Sequence, residues 1–191
     1  MKKSIFCVLL VLLVAISVSA EEVQSTASEE GCGNHILTLG ISPWGWQHFH
    51  IDESGIDDKN STYGLGGKIA YTYLFDSGFY VGAEAAYETY FIDHRDNFHD
   101  IMFLVDGGYN FELGEKLGLY AGLGGGLELE CFDGECSAVG LVKGDLGLGY
   151  SLTEHWIVGA GCDFIFGFPT KSGTNYMGFQ IIPCITASYK F

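Results

Sequence analysis

Proline, basic residues and long apolar runs are all scarce in this chain, and each shortage removes a class of protein. Three prolines in 191 residues leave no room for a Pro-rich linker or a collagen-like repeat, although glycine reaches 28. Nine Lys and Arg stand against 24 Asp and Glu, a net charge of −15. Contacts to phosphate need a cationic face, so nucleic acid is excluded as a partner. After residue 20 no apolar run approaches the roughly 20 residues of a spanning helix. Charged residues amount to 17% and apolar ones to 48%, whereas an ordinary soluble domain carries about 25% charge. A chain that is poor in charge yet has no spanning helix can cross a bilayer only as strands.

The N-terminus has the build of a cleavable secretory signal. Lys2 and Lys3 precede an apolar stretch from Ile5 to Val18, and Val18-Ser19-Ala20 supplies the small residues of a cleavage site. Residues 1–20 are therefore expected to be a signal peptide, residues 21–34 a flexible acidic leader, and residues 35–191 a single folded barrel. Cys7 lies inside the apolar stretch, which does not fit a site of lipid acylation.

From Ile36 onward the apolar residues alternate with small or polar ones, the period of a strand with two unlike faces. The last segment is the clearest: Met177, Phe179, Ile181, Ile185, Tyr189 and Phe191 share one face, and Gln180, Cys184, Thr186, Ser188 and Lys190 the other. Seven earlier segments repeat the pattern, beginning near Leu37, Thr62, Phe79, Asp100, Leu117, Ala138 and Trp156. Aromatic residues gather at the ends of the apolar faces, as at Tyr73, Phe75, Tyr109, Phe111, Trp156 and Tyr189, which predicts two interfacial girdles. A soluble barrel would have to put this bulk inside and glycine outside. The expectation is thus an all-β fold, an eight-stranded antiparallel up-and-down transmembrane β-barrel. Tight turns at Asp76-Ser77-Gly78, Gly114-Glu115-Lys116 and Thr153-Glu154 alternate with longer connections at 44–61, 92–99, 131–137 and 167–176.

With these segments and the ending Ala187-Ser188-Tyr189-Lys190-Phe191, the chain resembles the small eight-stranded outer-membrane barrels typified by the OmpA transmembrane domain, OmpX, OmpW and the opacity-type surface proteins. The resemblance covers residues 35–191. It implies a bacterial outer-membrane location, a surround of outer-membrane lipid, and recognition of Tyr189 and Phe191 by the barrel-assembly machinery. It also implies loops open to an extracellular or host surface ligand.

Candidate chemistry lies inside the expected lumen, where Glu84, Glu88, Asp106, Glu128, Asp145 and Asp163 accompany Lys68 and Lys143. The spacing places Lys68 near Glu84 and Glu88, and Lys143 near Asp163. Such a network plugs a narrow barrel, or, because acids are in excess, lines a cation path. If it is the plug, removing Lys68 is expected to open a cation leak. Cys131 and Cys136 flank a turn and are a candidate disulfide. His48 and His50 share one side of an extended segment, but no third ligand is fixed, so neither a metal nor a cofactor is expected. His35, His94 and His155 have no nucleophile placed beside them, and enzyme activity is not expected. The leading function is structural, or interaction through the outer loops. A narrow channel comes second and a lipid-modifying enzyme third.

Overall fold

Each alternating segment is a β-strand in the computed structural model, which describes residues 35–53, 56–91, 98–132, 135–169 and 175–191. The expected signal and leader lie outside the described residues. The strands are β1 (His35–Glu53), β2 (Ile56–Leu74), β3 (Phe79–Phe91), β4 (Phe98–Glu112), β5 (Leu117–Phe132), β6 (Glu135–Ser151), β7 (Trp156–Pro169) and β8 (Asn175–Lys190). Each pairs antiparallel with its neighbours in sequence, and β1 pairs with β8 to close the barrel.

At one end the strands are joined by short turns. Phe75 N–H donates to Phe79 O at 2.8 Å, and Gly78 takes a φ of +86° that a side chain would strain. In the β6–β7 turn the Thr153 hydroxyl accepts from the N–H groups of His155 and Trp156, at 3.2 and 3.0 Å. The final residue is tied in as well, since Phe191 N–H donates to His35 O at 3.0 Å.

The faces are inverted relative to a soluble barrel. Val105 and Leu123 point outward with 66% and 72% exposure, while Glu84, Lys143 and Asp163 are buried within. Outward aromatics cluster at both strand ends. On the turn side Tyr109 meets Phe111 at 4.7 Å, and Tyr189 meets both Trp156 and Phe191 at 5.2 Å. At the far end Trp44 stacks on Tyr63 at 5.8 Å, and Phe166 meets Phe179 at 4.7 Å. This is the girdled apolar belt of a membrane barrel.

The connection expected over 44–61 is instead mostly strand. β1 runs to Glu53 and β2 starts at Ile56, paired through Asp52↔Asp57. The alternation reads as broken there because β1 carries one extra residue between Ser42 and Gly45 against both β2 and β8. Pro43, which has no N–H to lose, lies in this bulge. Downstream parity flips, so Trp46 faces out and Gln47 is buried inside. Strands also continue into the expected connections at 131–137 and 167–176. Cys131 and Cys136 are directly opposite in the β5–β6 ladder and form a disulfide with Cα atoms 4.1 Å apart.

Because Val105 faces lipid near mid-strand, Val105→Arg should cost about 2–4 kcal/mol in a bilayer. On a water-exposed surface the same change stays within about 0.5 kcal/mol. Denaturant unfolding of the barrel in lipid vesicles separates the two, and a near-zero cost would remove the lipid-facing assignment.

Candidate functional site

On β3, β4 and β8 the inward residues keep one order, counted from the turn end, and this order divides the lumen into layers. β3 passes from Glu84 to Ala86 to Glu88 and Tyr90; β4, read backwards, passes from Asp106 through Leu104 and Met102 to Asp100; β8, also read backwards, passes from Ile182 to Gln180. Ion pairs come first, an apolar layer second, and a polar cluster last.

In the first layer Glu84 Oε2 accepts from both lysines, 3.2 Å from Lys68 Nζ and 3.1 Å from Lys143 Nζ. Lys68 also reaches Asp163 at 2.5 Å, and Lys143 reaches Asp106 at 3.0 Å. Tyr80 donates to Asp145 Oδ1 at 3.0 Å. Glycines on facing strands make the room for these groups. A Cβ on Gly40 would come within 2.8 Å of Lys68 Cγ, and one on Gly124 within 2.7 Å of Asp106 Cβ. On the turn side lies a cavity of about 190 Å³ whose walls include Thr38, Thr72, Tyr120 and Ser188, with the ion pairs as its inner end.

The partners differ from those expected. Lys68 takes Asp163 together with Glu84, not Glu88, and Lys143 takes Asp106 together with Glu84, not Asp163. Spacing along one hairpin located Lys68 opposite β3. Its second partner comes from across the barrel on β7, a distance that no local spacing encodes.

The second layer is a cluster of Ala86, Met102, Leu104, Val139, Leu141, Ile165 and Ile182. It fills the bore beyond the ion pairs. Met102 and Leu104 on β4 and Ile182 on β8 were visible in sequence as apolar residues on otherwise polar faces.

In the third layer Glu128 forms no ion pair with either lysine, and Glu88, which lines a small void together with Lys68, forms none either. Gln180 Nε2 donates to Glu128 Oε1 at 2.8 Å and more weakly to Asp100 Oδ2 at 3.4 Å. Tyr90 and Gln47 are wholly buried beside them. Asp100, Gln180 and Tyr90 had the right parity for the lumen, but Gln47 was hidden by the bulge. Tyr189 and Phe191 sit in the turn-side girdle, away from the lumen groups. Of the histidines, His48 stacks on Trp46 on the outside at 5.9 Å, and His155 Nδ1 donates to Lys190 O at 2.9 Å. His94 lies outside the described residues, as does the side chain of His50.

No protein-family model matches the chain, and no curated protein matches it. Solved structures do. Neisserial surface protein A superposes with a TM-score of 0.61 at 14% identity, over 85% of this chain and all (100%) of that one. The outer membrane protein OprG from Pseudomonas aeruginosa does so with a TM-score of 0.55 at 15% identity, over 84% of this chain and 98% of that one. The chain therefore has the fold of the small outer-membrane barrels.

Removing one partner from a buried charge pair leaves the other stranded, which costs about 3–5 kcal/mol. Lys143, only 1% exposed, should show this as Lys143→Met. Adding Asp106→Asn should recover part of the loss, because the two are in direct contact. Equilibrium unfolding of the single and double variants measures it, and strictly additive costs would mean that the pair is not coupled.

Proposed function

We propose that this chain is a closed outer-membrane barrel that gives the envelope structure and presents its outer hairpins to an extracellular ligand, without serving as a pore. The observation that carries the reading is the apolar layer across the bore. An ion passing the Lys68–Glu84–Lys143 belt would next meet Met102, Leu104, Ile165 and Ile182, all almost fully buried. An eight-stranded barrel is just wide enough for side chains to fill it.

With the interior closed, the surfaces left for function are outside. β1 and β2 are each 19 residues long, against the roughly 9–11 that cross the hydrocarbon. This supports a hairpin standing clear of the membrane. The Cys131–Cys136 disulfide staples the β5–β6 tip on the same side. Outer-membrane lipid would contact the belt. Residues 1–20 would direct export, and Tyr189 with Phe191 would be read by the barrel-assembly machinery. The described histidine contacts with assigned partners serve aromatic and turn packing, which favours interaction over catalysis.

In planar bilayers the purified barrel should be silent. Lys68→Ala should lower its thermal stability without opening a leak, contrary to what the ion pairs alone lead one to expect, because the apolar layer still closes the bore. Met102→Gly combined with Ile165→Gly should produce conductance. Steady current from the unmodified barrel would replace the structural reading with the channel.

Deleting Phe191 removes its ring contact with Tyr189 and its backbone bond to His35. Export should continue while the heat-modifiable barrel in the outer membrane falls severalfold. Normal assembly after the deletion would remove the terminal residue from the assembly signal.

A further inference from the structure

Toward the turn end the bore is not filled. Gly159 and Gly149 stand among the walls of the cavity of about 190 Å³ beside the ion pairs, and Gly149 and Gly118 among those of a wider vestibule of about 550 Å³ at the mouth. Ile36, Leu74, Asn110 and Ile157 line both spaces, so one runs into the other. Short turns mark the periplasmic end of an outer-membrane barrel, and the apolar layer lies across the bore on the far side of the ion pairs. The turn-side half is thus a blind pocket facing the periplasm. A cavity of about 150 Å³ already accommodates benzene.

The floor of this pocket is short of positive charge. Glu84, Asp106, Asp145 and Asp163 line it with two lysines, and each lysine is already engaged by two carboxylates, Lys68 by Glu84 and Asp163 and Lys143 by Glu84 and Asp106. Asp145 is only 9% exposed and joins none of these pairs. Tyr80 OH donates to its Oδ1 at 3.0 Å, while its Oδ2 has no hydrogen-bond partner. A buried carboxylate oxygen without a partner is costly. The conflict is sharpened by Asp163, a like charge directly opposite in the β6–β7 ladder. On its other side Asp145 is opposite Gly122, where a Cβ would come within 2.8 Å of Oδ2. The walls above the floor differ in kind. They carry the hydroxyls of Thr72 and Thr186, the Thr38–Ser188 pair bonded at 2.8 Å, and the aliphatic chains of Ile36, Leu74 and Ile157. At the mouth Glu112, Glu115 and Glu154 outnumber Lys116 and Lys190.

We propose that this pocket binds a small aliphatic amine from the periplasm, its ammonium group paired with Asp145 and its carbon chain lying along the hydroxyl and aliphatic walls toward the mouth. Mostly neutral walls with a few placed polar groups are the usual make-up of a small-molecule site. The acid excess at floor and mouth selects a cation, and an anion would find both lysines already held by carboxylates. A bare metal ion lacks its ligands, because among the described residues no three acidic, His or Cys side chains stand together to hold one. The amine would supply the partner that Asp145 lacks. This inner site is additional to the outer hairpins, and it rests on the closure proposed above, since an open bore would be a passage and not a pocket.

The test uses the folded full-length barrel in detergent, titrated with butylamine and followed by amide NMR. Saturable shifts are expected at Tyr80, Gly122 and Asp145. 1-Butanol has the same chain without the charge and should bind more weakly by on the order of tenfold or more, because a bond to a charged group is the stronger one; butyrate should not bind. Asp145→Asn keeps an acceptor for Tyr80 and removes the charge, and should weaken butylamine binding by a similar factor. Glu128→Gln, beyond the apolar layer, should bind as the parent does. Absence of saturable shifts would mean a cavity that holds water only, and would overturn the proposal. Equal binding of butylamine and 1-butanol to the unmodified barrel would do so as well, without recourse to any variant. So would unchanged binding in Asp145→Asn. Failure here with a silent planar bilayer removes the pocket and leaves the closed barrel standing, whereas steady current removes the closure itself.

Discussion

In hydrocarbon there is no water to bond a backbone amide, and each unpaired group costs several kcal/mol. Closure of the sheet is therefore the condition on which everything else here rests. β1 finds β8 along its length, from Ile36↔Lys190 to Asp52↔Asn175, and Phe191 adds a last bond to His35. An antiparallel sheet that closes in this way has an even number of strands and both its ends on one side. It also has two faces of fixed and opposite character, because side chains alternate on every strand. With lipid outside, the large apolar residues go out, and the polar ones share a bore only wide enough for side chains.

That confinement governs the interior. Charges removed from water need partners, and the turn-side half supplies them by letting Glu84 bridge Lys68 and Lys143 while Asp163 and Asp106 take the remaining valences. Glycine on the neighbouring strands is what lets side chains this long lie across the bore. The apolar layer beyond them carries no such debt, because its side chains are buried and uncharged. The outer layer holds carboxylates, amides and a phenol, with Asp100 and Glu128 bonded to each other and to Gln180.

A single extra residue in β1 has effects out of proportion to its size. By shifting the register against both β2 and β8 at Ser42–Gly45, it turns Gln47 inward opposite Gln180 and leaves Trp44 and Trp46 for the outer girdle. Without the bulge the parity of the upstream strand would continue, and Gln47 would meet lipid. The same device lets β1 and β2 run on as a paired hairpin toward Glu53 and Ile56.

Strand number, the two faces, the girdle residues and the pairing of Cys131 with Cys136 were legible in the sequence, because each follows from a period of two or from a contact between neighbours along one hairpin. Lys68 opposite β3 was legible for the same reason. The partners Lys68–Asp163 and Lys143–Asp106 were not, since they join strands that meet only when the barrel closes and the long side chains cross its bore. That neither Glu88 nor Glu128 pairs with a lysine was likewise decided in three dimensions, where Met102, Ile165 and Ile182 cluster in the bore. Parity along a strand tells which face a residue takes. Depth along the bore, and so which charge meets which, depends on how eight tilted strands are staggered against one another, and only the closed structure determines that stagger.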